Sequence, residues 1–390
     1  MITVLKNVEI YSPEYLGKKQ IVIAGNKFEG IYDEIDIPKD FINIDEINGN
    51  GKLIFPGFID NHVHIIGGGG EGGFSTRTGE IKFTELTTSG ITTVVGCIGT
   101  DSVCRDVRSL IAKARALDEE GITSYCYTGS YEIPTKTLMN SVKEDIILVD
   151  KFIGVGEIAL SDHRSSQPTF EEFSRIVASA RVGGLISNKS GIVNVHLGGG
   201  ARKLEMLFSL LKNTEIPATQ MLPTHINRTK ELFNAGIEYI KGGGYIDLTT
   251  SSDPKFLEPG ELRASEGLRK LYDMKLPIDN ITFSSDGNGS MPIFNEKREL
   301  VGLGICSVKS LYEEVKNAIL VEEIPIEIAI KVITSNVARL LKLKDVGEIK
   351  QDYIADFVLV DKKNLEITDV YAKGKVLVKD REIVAKDTFE

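Results

Sequence analysis

Two histidines one residue apart, His62 and His64, are the residues whose types and spacing point most directly to chemistry. They end an apolar run that begins at Phe55. Successive side chains of a β-strand point to opposite faces, so both imidazoles would point the same way. Two imidazoles that converge from one backbone segment make half of a metal site. The sequence therefore predicts a metal centre at the end of this strand.

Residues able to complete such a site lie in strand-like runs further along the chain. Of the five histidines, His196 and His225 also end apolar runs, Glu157 lies inside another, and Asp286 follows a fourth. Neutral imidazoles and carboxylates are common ligands of divalent metals. We interpret these residues as one metal centre, and the remaining histidine, His163, as a loop residue.

A metal centre of this composition suits the hydrolysis of an unactivated amide. A metal lowers the pKa of bound water towards about 7, and two metals can share one hydroxide and polarise the scissile carbonyl. In this scheme the Glu157 carboxylate bridges two cations. Asp286, a ligand with one free oxygen, takes the hydroxide proton and passes it to the leaving nitrogen.

The elements that must position these residues alternate between strand and helix. That alternation predicts a (β/α)₈ barrel rather than an open doubly wound sheet, with the active site at the carboxyl ends of the strands. The expected strands are 55–64, 91–96, 124–128, 152–160, 192–197, 220–225, 245–250 and 280–285. The expected helices are 102–120, 169–182, 201–212, 228–235 and 261–274, with 307–320 and 326–341 closing the barrel.

Both ends of the chain are rich in short β-like runs separated by turn residues. We expect residues 1–55 and 346–390 to form one small β-sandwich domain, and residues 56–345 to form the barrel.

Composition limits the classes of function. A net charge of −10 and a pI near 5.3 argue against nucleic-acid binding, which needs a basic surface. The four cysteines are scattered without a C-x-x-C pair, which favours a reduced, cytoplasmic setting, and Cys97 and Cys126 are expected to be buried. We find no signal peptide and no apolar run long enough to span a membrane.

A glycine-rich segment at residues 67–73 directly follows the histidine pair. It is not a phosphate loop, because no G-K-[ST] follows and no helix opens on it in the dinucleotide-binding pattern. It is either a flexible loop or a place where bare backbone approaches a substrate, with Glu71 as its one charged side chain.

Together these residues resemble the amidohydrolase superfamily and, within it, the isoaspartyl dipeptidases. The histidine pair, the carboxylate on the fourth strand, the two later histidines and Asp286 are superfamily features. The narrower resemblance extends over nearly the whole chain and lies in the loops 67–71, 99–102, 128–131, 161–164, 223–228 and 284–290. It implies a homo-oligomeric enzyme that hydrolyses β-aspartyl dipeptides with two divalent ions, for which Zn²⁺ is the default in a His-rich site.

The resemblance also implies a role for each residue. Glu71 would bind the substrate α-ammonium, Thr100 would line the pocket, and Tyr131 would hydrogen-bond the carbonyl oxygen as it becomes an oxyanion. Arg164, Arg228 and Ser290 would hold the substrate carboxylates, since arginine binds carboxylates bidentately. The implied ligands are His62, His64 and Asp286 for one ion, His196 and His225 for the other, and Glu157 as the bridge.

One position departs from the family pattern. Well-known members of the dipeptidase family carry a lysine on the fourth strand, carboxylated to form the bridging ligand, whereas this chain has Glu157. A glutamate supplies a carboxylate without a CO₂ adduct. We therefore predict a binuclear site that is independent of bicarbonate.

Two alternatives stay open from the sequence. A cyclic-amide hydrolase of the dihydroorotase or hydantoinase kind would share the metal site but would have no use for Glu71 as an ammonium ligand. A non-catalytic scaffold with the same barrel is disfavoured because every expected ligand position is filled.

Overall fold

The computed structural model describes residues 2–38, 43–252, 260–294 and 300–390. Met1 and residues 39–42, which belong to the predicted small domain, lie outside the described residues. The strands that precede the barrel are β1 (Ile2–Tyr11), β2 (Tyr15–Ala24), β3 (Lys27–Tyr32), β4 (Ile44–Asn48) and β5 (Lys52–Pro56).

The barrel strands alternate with helices in the described residues. The strands are β6 (Phe58–Val63), β7 (Ile91–Gly96), β8 (Thr123–Thr128), β9 (Phe152–Leu160), β10 (Ile192–Leu197), β11 (Met221–Thr224), β12 (Ile246–Thr249) and β13 (Ile281–Ser284). The helices between them are α1 (Phe83–Thr87), α2 (Val107–Glu120), α3 (Val142–Leu148), α4 (Phe170–Ser187), α5 (Glu205–Asn213), α6 (Lys230–Lys241) and α7 (Ala264–Asp273).

After the last barrel strand the chain forms a hairpin, three helices and four further strands. These are β14 (Ser290–Phe294), β15 (Leu300–Ile305), α8 (Ser310–Leu320), α9 (Ile326–Ala329), α10 (Ser335–Leu340), β16 (Phe357–Asp361), β17 (Ile367–Ala372), β18 (Lys375–Lys379) and β19 (Glu382–Ile383). Short 3₁₀ turns lie at Phe74–Thr76, Ala218–Gln220, Ile226–Arg228, Ile278–Asn280 and Ile330–Ile333.

Eight parallel strands close into the barrel. Strands β6 to β11 pair in chain order in one sheet, and β12 pairs with β13. Strand β12 lies beside β11 and β13 lies beside β6, and the His64 amide donates to the Gly287 carbonyl at 2.8 Å across the closing seam. Every residue of β9 is buried, as expected of a parallel strand covered on both faces. The predicted (β/α)₈ fold is confirmed.

Apolar side chains fill part of the barrel. Ile59, Tyr127 and Leu222 form a buried cluster with Val337 and Leu340 of α10. Active sites of such barrels lie at the carboxyl ends of the strands, and the candidate ligands lie at or near those ends.

The two ends of the chain meet in a single sheet. Its order is β19-β18-β17-β16-β5-β1-β2-β3, with β4 paired to β1, so β5 joins the amino-terminal strands to the carboxyl-terminal ones. Phe28 of β3 and Phe357 of β16 share one core with their ring centroids 6.1 Å apart. The two arms of the sheet thus enclose the small domain's core. The exact domain bounds, 1–55 with 346–390 against 56–345, stay a prediction.

Local chemistry sets the helix ends. Helix α2 begins at Val107 rather than at 102, because the Asp106 side chain caps it by accepting from the Ser109 amide. Helix α4 begins with a capping box between Thr169 and Glu172.

In the described part of the chain, no helix combines the length and apolar character needed to cross a membrane.

Candidate active site

The two histidines of the first barrel strand face two carboxylates. His62 Nε2 lies 3.2 Å from Oε2 of Glu157, and His64 Nε2 lies 3.4 Å from Oε1 of the same residue. His64 Nε2 is also 3.1 Å from Oδ1 of Asp286. Both imidazoles are buried. The H-x-H pair, the fourth strand and the eighth strand therefore meet at one point.

The other two predicted histidines also approach Glu157. His196 Nδ1 is 3.1 Å from Glu157 Oε2 and 3.0 Å from Nε2 of His225. His225 Nε2 is 3.8 Å from the same carboxylate oxygen. Glu157 thus lies close to all four imidazoles, which is compatible with a ligand shared by two ions.

Two carboxylates and one imidazole have protonation states that suit metal binding. Burial alone would raise the pKa of Glu157, but the charge of His62 and hydrogen bonds with the other imidazoles hold it well below its usual range. Burial also opposes ionisation of Asp286, and its hydrogen bond with His64 lowers that pKa below the usual value. Burial and the charges of nearby basic groups lower the pKa of His225 to about 3. Ionised carboxylates and a neutral imidazole are the forms that bind cations. Burial would lower the pKa of His62 and His64, but the nearby Cys97 and Glu157 raise it well above its usual value, so these two imidazoles lose a proton when a cation binds.

The donor atoms form two groups that share one residue. His62, His64, Cys97 and Glu157 offer donors within 4.8 Å of one another, as do Glu157, His196 and His225. Among the described residues, Oε1 of Glu157 and both ring nitrogens of His62 are buried without a hydrogen-bond partner. Such orphaned atoms are costly unless a ligand engages them. The site therefore fits divalent metal ions.

Two glycines allow the backbone to pack closely around the metal-binding residues. A Cβ added to Gly99 would lie 2.9 Å from Cε1 of His64, and one added to Gly156 would lie 2.8 Å from Cβ of Asn194. These glycines let the loop after β7 reach His64 and let β9 lie against β10 beside Glu157.

A second group of polar residues surrounds the mouth of the barrel. Glu71 Oε1 accepts from the Thr100 hydroxyl at 2.8 Å and from Arg164 Nη1 at 3.2 Å, and Ser290 Oγ lies 3.4 Å from its other oxygen. Burial would raise the pKa of Glu71, but the Thr100 hydrogen bond and the Arg164 charge lower it. The glycine-rich segment therefore presents an ionised carboxylate to the pocket.

Three more predicted residues gather around His196. Tyr131 Oη lies 2.9 Å from its Nδ1, Arg164 Nη2 lies 3.2 Å from its Nε2, and Arg228 Nη1 lies 3.4 Å from that nitrogen. Burial raises the pKa of Tyr131 well above its usual value, so the phenol keeps its proton and can donate. His163 is exposed on a loop, as expected.

The structure adds two residues to those predicted from sequence. Asp162 accepts from the backbone amide, Nε and Nη2 of Arg164 at 2.8, 3.0 and 2.9 Å, and lies 3.1 Å from His196 Nε2. Cys97 is buried as predicted, but its sulfur lies 3.8 Å from Nδ1 of His64. The signal for Asp162 is its position within the 161–164 loop, whereas a cysteine that follows a barrel strand does not by itself indicate a sulfur at the site.

A cavity of about 600 Å³ lies at the carboxyl end of the barrel. His64, His196, His225 and Asp286 line it together with the polar residues of the barrel mouth, which are Glu71, Thr100, Tyr131, Arg164, Arg228 and Ser290. The volume suits a small molecule rather than a folded polypeptide.

Comparison with known proteins shows which family and which solved structures this chain resembles. Residues 53–377 match the model of the amidohydrolase family. The β-aspartyl dipeptidase of the thermophilic, keratin-degrading Fervidobacterium islandicum AW-1, solved in complex with β-Asp-Leu, is 44% identical over 100% of this chain and 99% of its own, with a TM-score of 0.93. A second structure of that dipeptidase is 43% identical with 100% of both chains covered and a TM-score of 0.91.

A more distant structure shares the fold alone. The dihydropyrimidinase of Brevibacillus agri NCHU1002 is 15% identical over 99% of this chain and 97% of its own, with a TM-score of 0.67. The match to the family model covers the barrel and part of the terminal sheet, and the residues it includes form the metal-binding groups. The chain belongs to the amidohydrolase family.

Proposed function

We propose that this chain is a metal-dependent dipeptidase that hydrolyses β-aspartyl (isoaspartyl) dipeptides. The observation that carries the proposal is the pairing of Glu71 with Arg164, 3.2 Å apart at the rim of the metal-binding cavity. The β-aspartyl residue of such a dipeptide bears an ammonium and a carboxylate on one carbon atom. A carboxylate and a guanidinium side by side complement that pair of charges.

The similarity to a dipeptidase solved with β-Asp-Leu supports the same substrate class. A β-aspartyl dipeptide also has a second carboxylate, on its C-terminal residue. Arg228 and Ser290 line the same cavity and can meet that group. Thr100 donates to Glu71 and so holds the ammonium-binding carboxylate in place.

The proposed cofactor is a pair of divalent ions, with Zn²⁺ as the default for a His-rich site. We assign His62, His64 and Asp286 to one ion, His196 and His225 to the other, and Glu157 to both. When bound, the ions would supply a hydroxide nucleophile at neutral pH and polarise the scissile carbonyl.

The protein groups perform the remaining steps. The Asp286 carboxylate accepts the proton of the nucleophile and delivers it to the leaving nitrogen. Tyr131, which keeps its proton, donates a hydrogen bond to the carbonyl oxygen as negative charge develops there. Glu71, Arg164 and Arg228 orient the substrate by its charged groups, which makes the attack effectively intramolecular.

We also propose that the enzyme assembles as a homo-oligomer in the cytoplasm. Leu148 of α3 and Leu185 and Ile186 of α4 are each more than half exposed, which supports an interface between copies. The four cysteines are free, which supports a reduced compartment.

A steady-state comparison of β-Asp-Leu with dihydroorotate tests the function. The metal-loaded enzyme should hydrolyse β-Asp-Leu with kcat/KM of about 10⁴ M⁻¹ s⁻¹ or more, and dihydroorotate far more slowly. Dihydroorotate has no free α-ammonium group for Glu71 to bind. Turnover of dihydroorotate with none of β-Asp-Leu would contradict the proposal and favour a cyclic-amide hydrolase.

A further inference from the structure

Arg105 is a buried arginine that the proposed reaction does not use directly. The residue is 6% exposed. It is among the residues that line the cavity. Its guanidinium lies against the glycine-rich segment and donates to four backbone carbonyls in that region: Ile66 at 3.2 Å, Gly68 at 2.9 Å, Gly69 at 3.4 Å and Thr78 at 2.9 Å.

The segment needs such an anchor. Gly67 and Gly69 have φ values of +86° and +69°, and a glycine-rich backbone loses more conformational entropy on ordering than other sequences do. Glu71 lies two residues beyond Gly69, so the position of its carboxylate depends on where this backbone is held. A guanidinium offers five donors in a fixed, planar arrangement and can hold several carbonyls at once.

The same guanidinium also braces the neighbouring loop. Arg105 Nη1 lies 3.7 Å from a carboxylate oxygen of Asp101, which also pairs with Arg77. Asp101 directly follows Thr100, whose hydroxyl donates to Glu71 at 2.8 Å. Arg105 therefore contacts both the backbone that carries Glu71 and the loop that supplies its hydrogen-bond donor.

We propose that Arg105 is a positioning residue that fixes the Glu71 carboxylate for the α-ammonium group of the substrate. The inference rests on the proposed function, because Glu71 has this role only if the substrate carries that group. Arg105 acts through Glu71 and is separate from the metal-binding groups. Its loss should weaken binding of the ammonium end and leave the chemistry at the metal centre in place.

Arg105→Met and Arg105→Lys test this role, with Arg108→Met as the matched control. The Arg108 side chain is 72% exposed, and its nearest carboxylate, Asp106, is 4.0 Å away. The ligands are β-Asp-Leu and N-succinyl-leucine, which keeps the carbon chain and both carboxylates but lacks the ammonium. KM and kcat are measured for the first, KM or Ki for the second, and metal content and Tm for every variant.

We expect Arg105→Met to raise KM for β-Asp-Leu by about 10- to 100-fold, the scale of a misplaced binding group. Binding of N-succinyl-leucine, kcat and metal content should change by less than about 3-fold. Arg105→Lys keeps the charge but not the planar set of donors, so its KM for β-Asp-Leu should lie between the values of Arg105→Met and the wild type. The KM of Arg108→Met should match that of the wild type. In a Glu71→Gln background, Arg105→Met should have no further effect on KM.

The inference would be overturned if Arg105→Met weakened the binding of both ligands equally. It would also be overturned if kcat or metal content fell without a change in KM. Either result would assign Arg105 a general structural role. Unchanged KM in a folded Arg105→Met protein would overturn it as well. If Arg105→Met does not fold, the KM of Arg105→Lys tests the inference instead. We expect this KM to rise several-fold, and an unchanged KM would refute the positioning role. A wild-type enzyme that fails to hydrolyse β-Asp-Leu would instead count against the proposed function.

Discussion

Glu157 is the residue on which the metal centre depends. One oxygen of its carboxylate faces His64, and the other lies within 3.2 Å of both His62 and His196. A buried carboxylate is costly to ionise unless cations or donors surround it. Metal ions held by the surrounding imidazoles would meet that cost, and in their absence the charge of His62 lowers the pKa of Glu157.

Asp286 is the residue whose removal should affect catalysis most directly. Asp286→Ala deletes a proposed metal ligand that is also the proposed proton-transfer group, so kcat for β-Asp-Leu should fall by at least about 10²- to 10⁴-fold. The measurement is kcat at saturating substrate, with metal content determined on the same sample. Asp273→Ala is the control, since that side chain is 54% exposed and pairs with Arg269 on its own helix. A kcat near the wild-type value for Asp286→Ala would refute the proton-transfer role.

At the residue scale the sequence predicted most of the site, because histidines and carboxylates at strand ends are rare enough to stand out. Cys97 and Asp162 were not singled out. A buried cysteine usually serves as a small apolar residue, so its type carried no signal of a sulfur facing His64. The role of Asp162 depends on the turn after β9, which brings its carboxylate back to both Arg164 and His196.

At the scale of single elements, the backbone of β9 sets the position of Glu157. A Cβ on Gly156 would lie 2.8 Å from Asn194 Cβ and 2.9 Å from its carbonyl oxygen, both on β10. Gly156→Ala should therefore push the two strands apart at the bridging ligand.

We expect Gly156→Ala to destabilise the protein by about 1–3 kcal/mol, as overpacking does in a filled core, and to lower the metal content. Chemical denaturation and metal analysis measure the two effects. Gly79→Ala serves as the control, because a Cβ there meets no atom within 4 Å. A Gly156→Ala protein with wild-type stability and full metal content would show that the close approach is not required.

The elements that the sequence missed have weak local signals. Helices α1 and α3 span 5 and 7 residues, which is too short for a helical period to be recognised. The β14–β15 hairpin contains Pro292, Gly302 and Gly304, residues that argue against a strand. These two strands pair only with each other among the described residues. Pairing between neighbours in the fold, rather than local propensity, makes them strands.

At the scale of the whole molecule, the barrel and the terminal sheet meet at Asp356. The Gly57 amide donates to the Asp356 carbonyl at 2.8 Å, and the Asp356 side chain accepts from the Lys373 amide at 2.6 Å. Burial raises the pKa of this carboxyl from 3.8 to about 6. The folded protein therefore binds more protons than the unfolded chain between these values, and its stability falls as the pH rises through that window.

Asp356→Asn removes this titration. Relative to the wild type, the variant should gain about 1–3 kcal/mol of stability between pH 4 and pH 7, because only the wild type must then bury an ionised group. The free energy of unfolding of both proteins at several pH values measures the difference. Asp352→Asn, a substitution of an exposed residue nearby, should show no such gain. A constant difference between Asp356→Asn and the wild type across this range would contradict the account.

The architecture could be predicted from the order of strands and helices, whereas the sheet order could not. Alternating strands and helices allow few arrangements besides a barrel. The position of β5 between β1 and β16 depends on pairings between residues some 300 positions apart, such as Ile54 with Leu359. Local patterns carry no information on that choice.

The most direct test of the central claim is metal titration of the metal-free enzyme in bicarbonate-free buffer, with β-Asp-Leu hydrolysis as the readout. Activity should rise with added Zn²⁺ until two equivalents per chain are bound, and bicarbonate should not increase it, since Glu157 supplies the bridging carboxylate. Saturation at one equivalent, dependence on bicarbonate, or no hydrolysis at any metal loading would contradict a binuclear β-aspartyl dipeptidase bridged by Glu157.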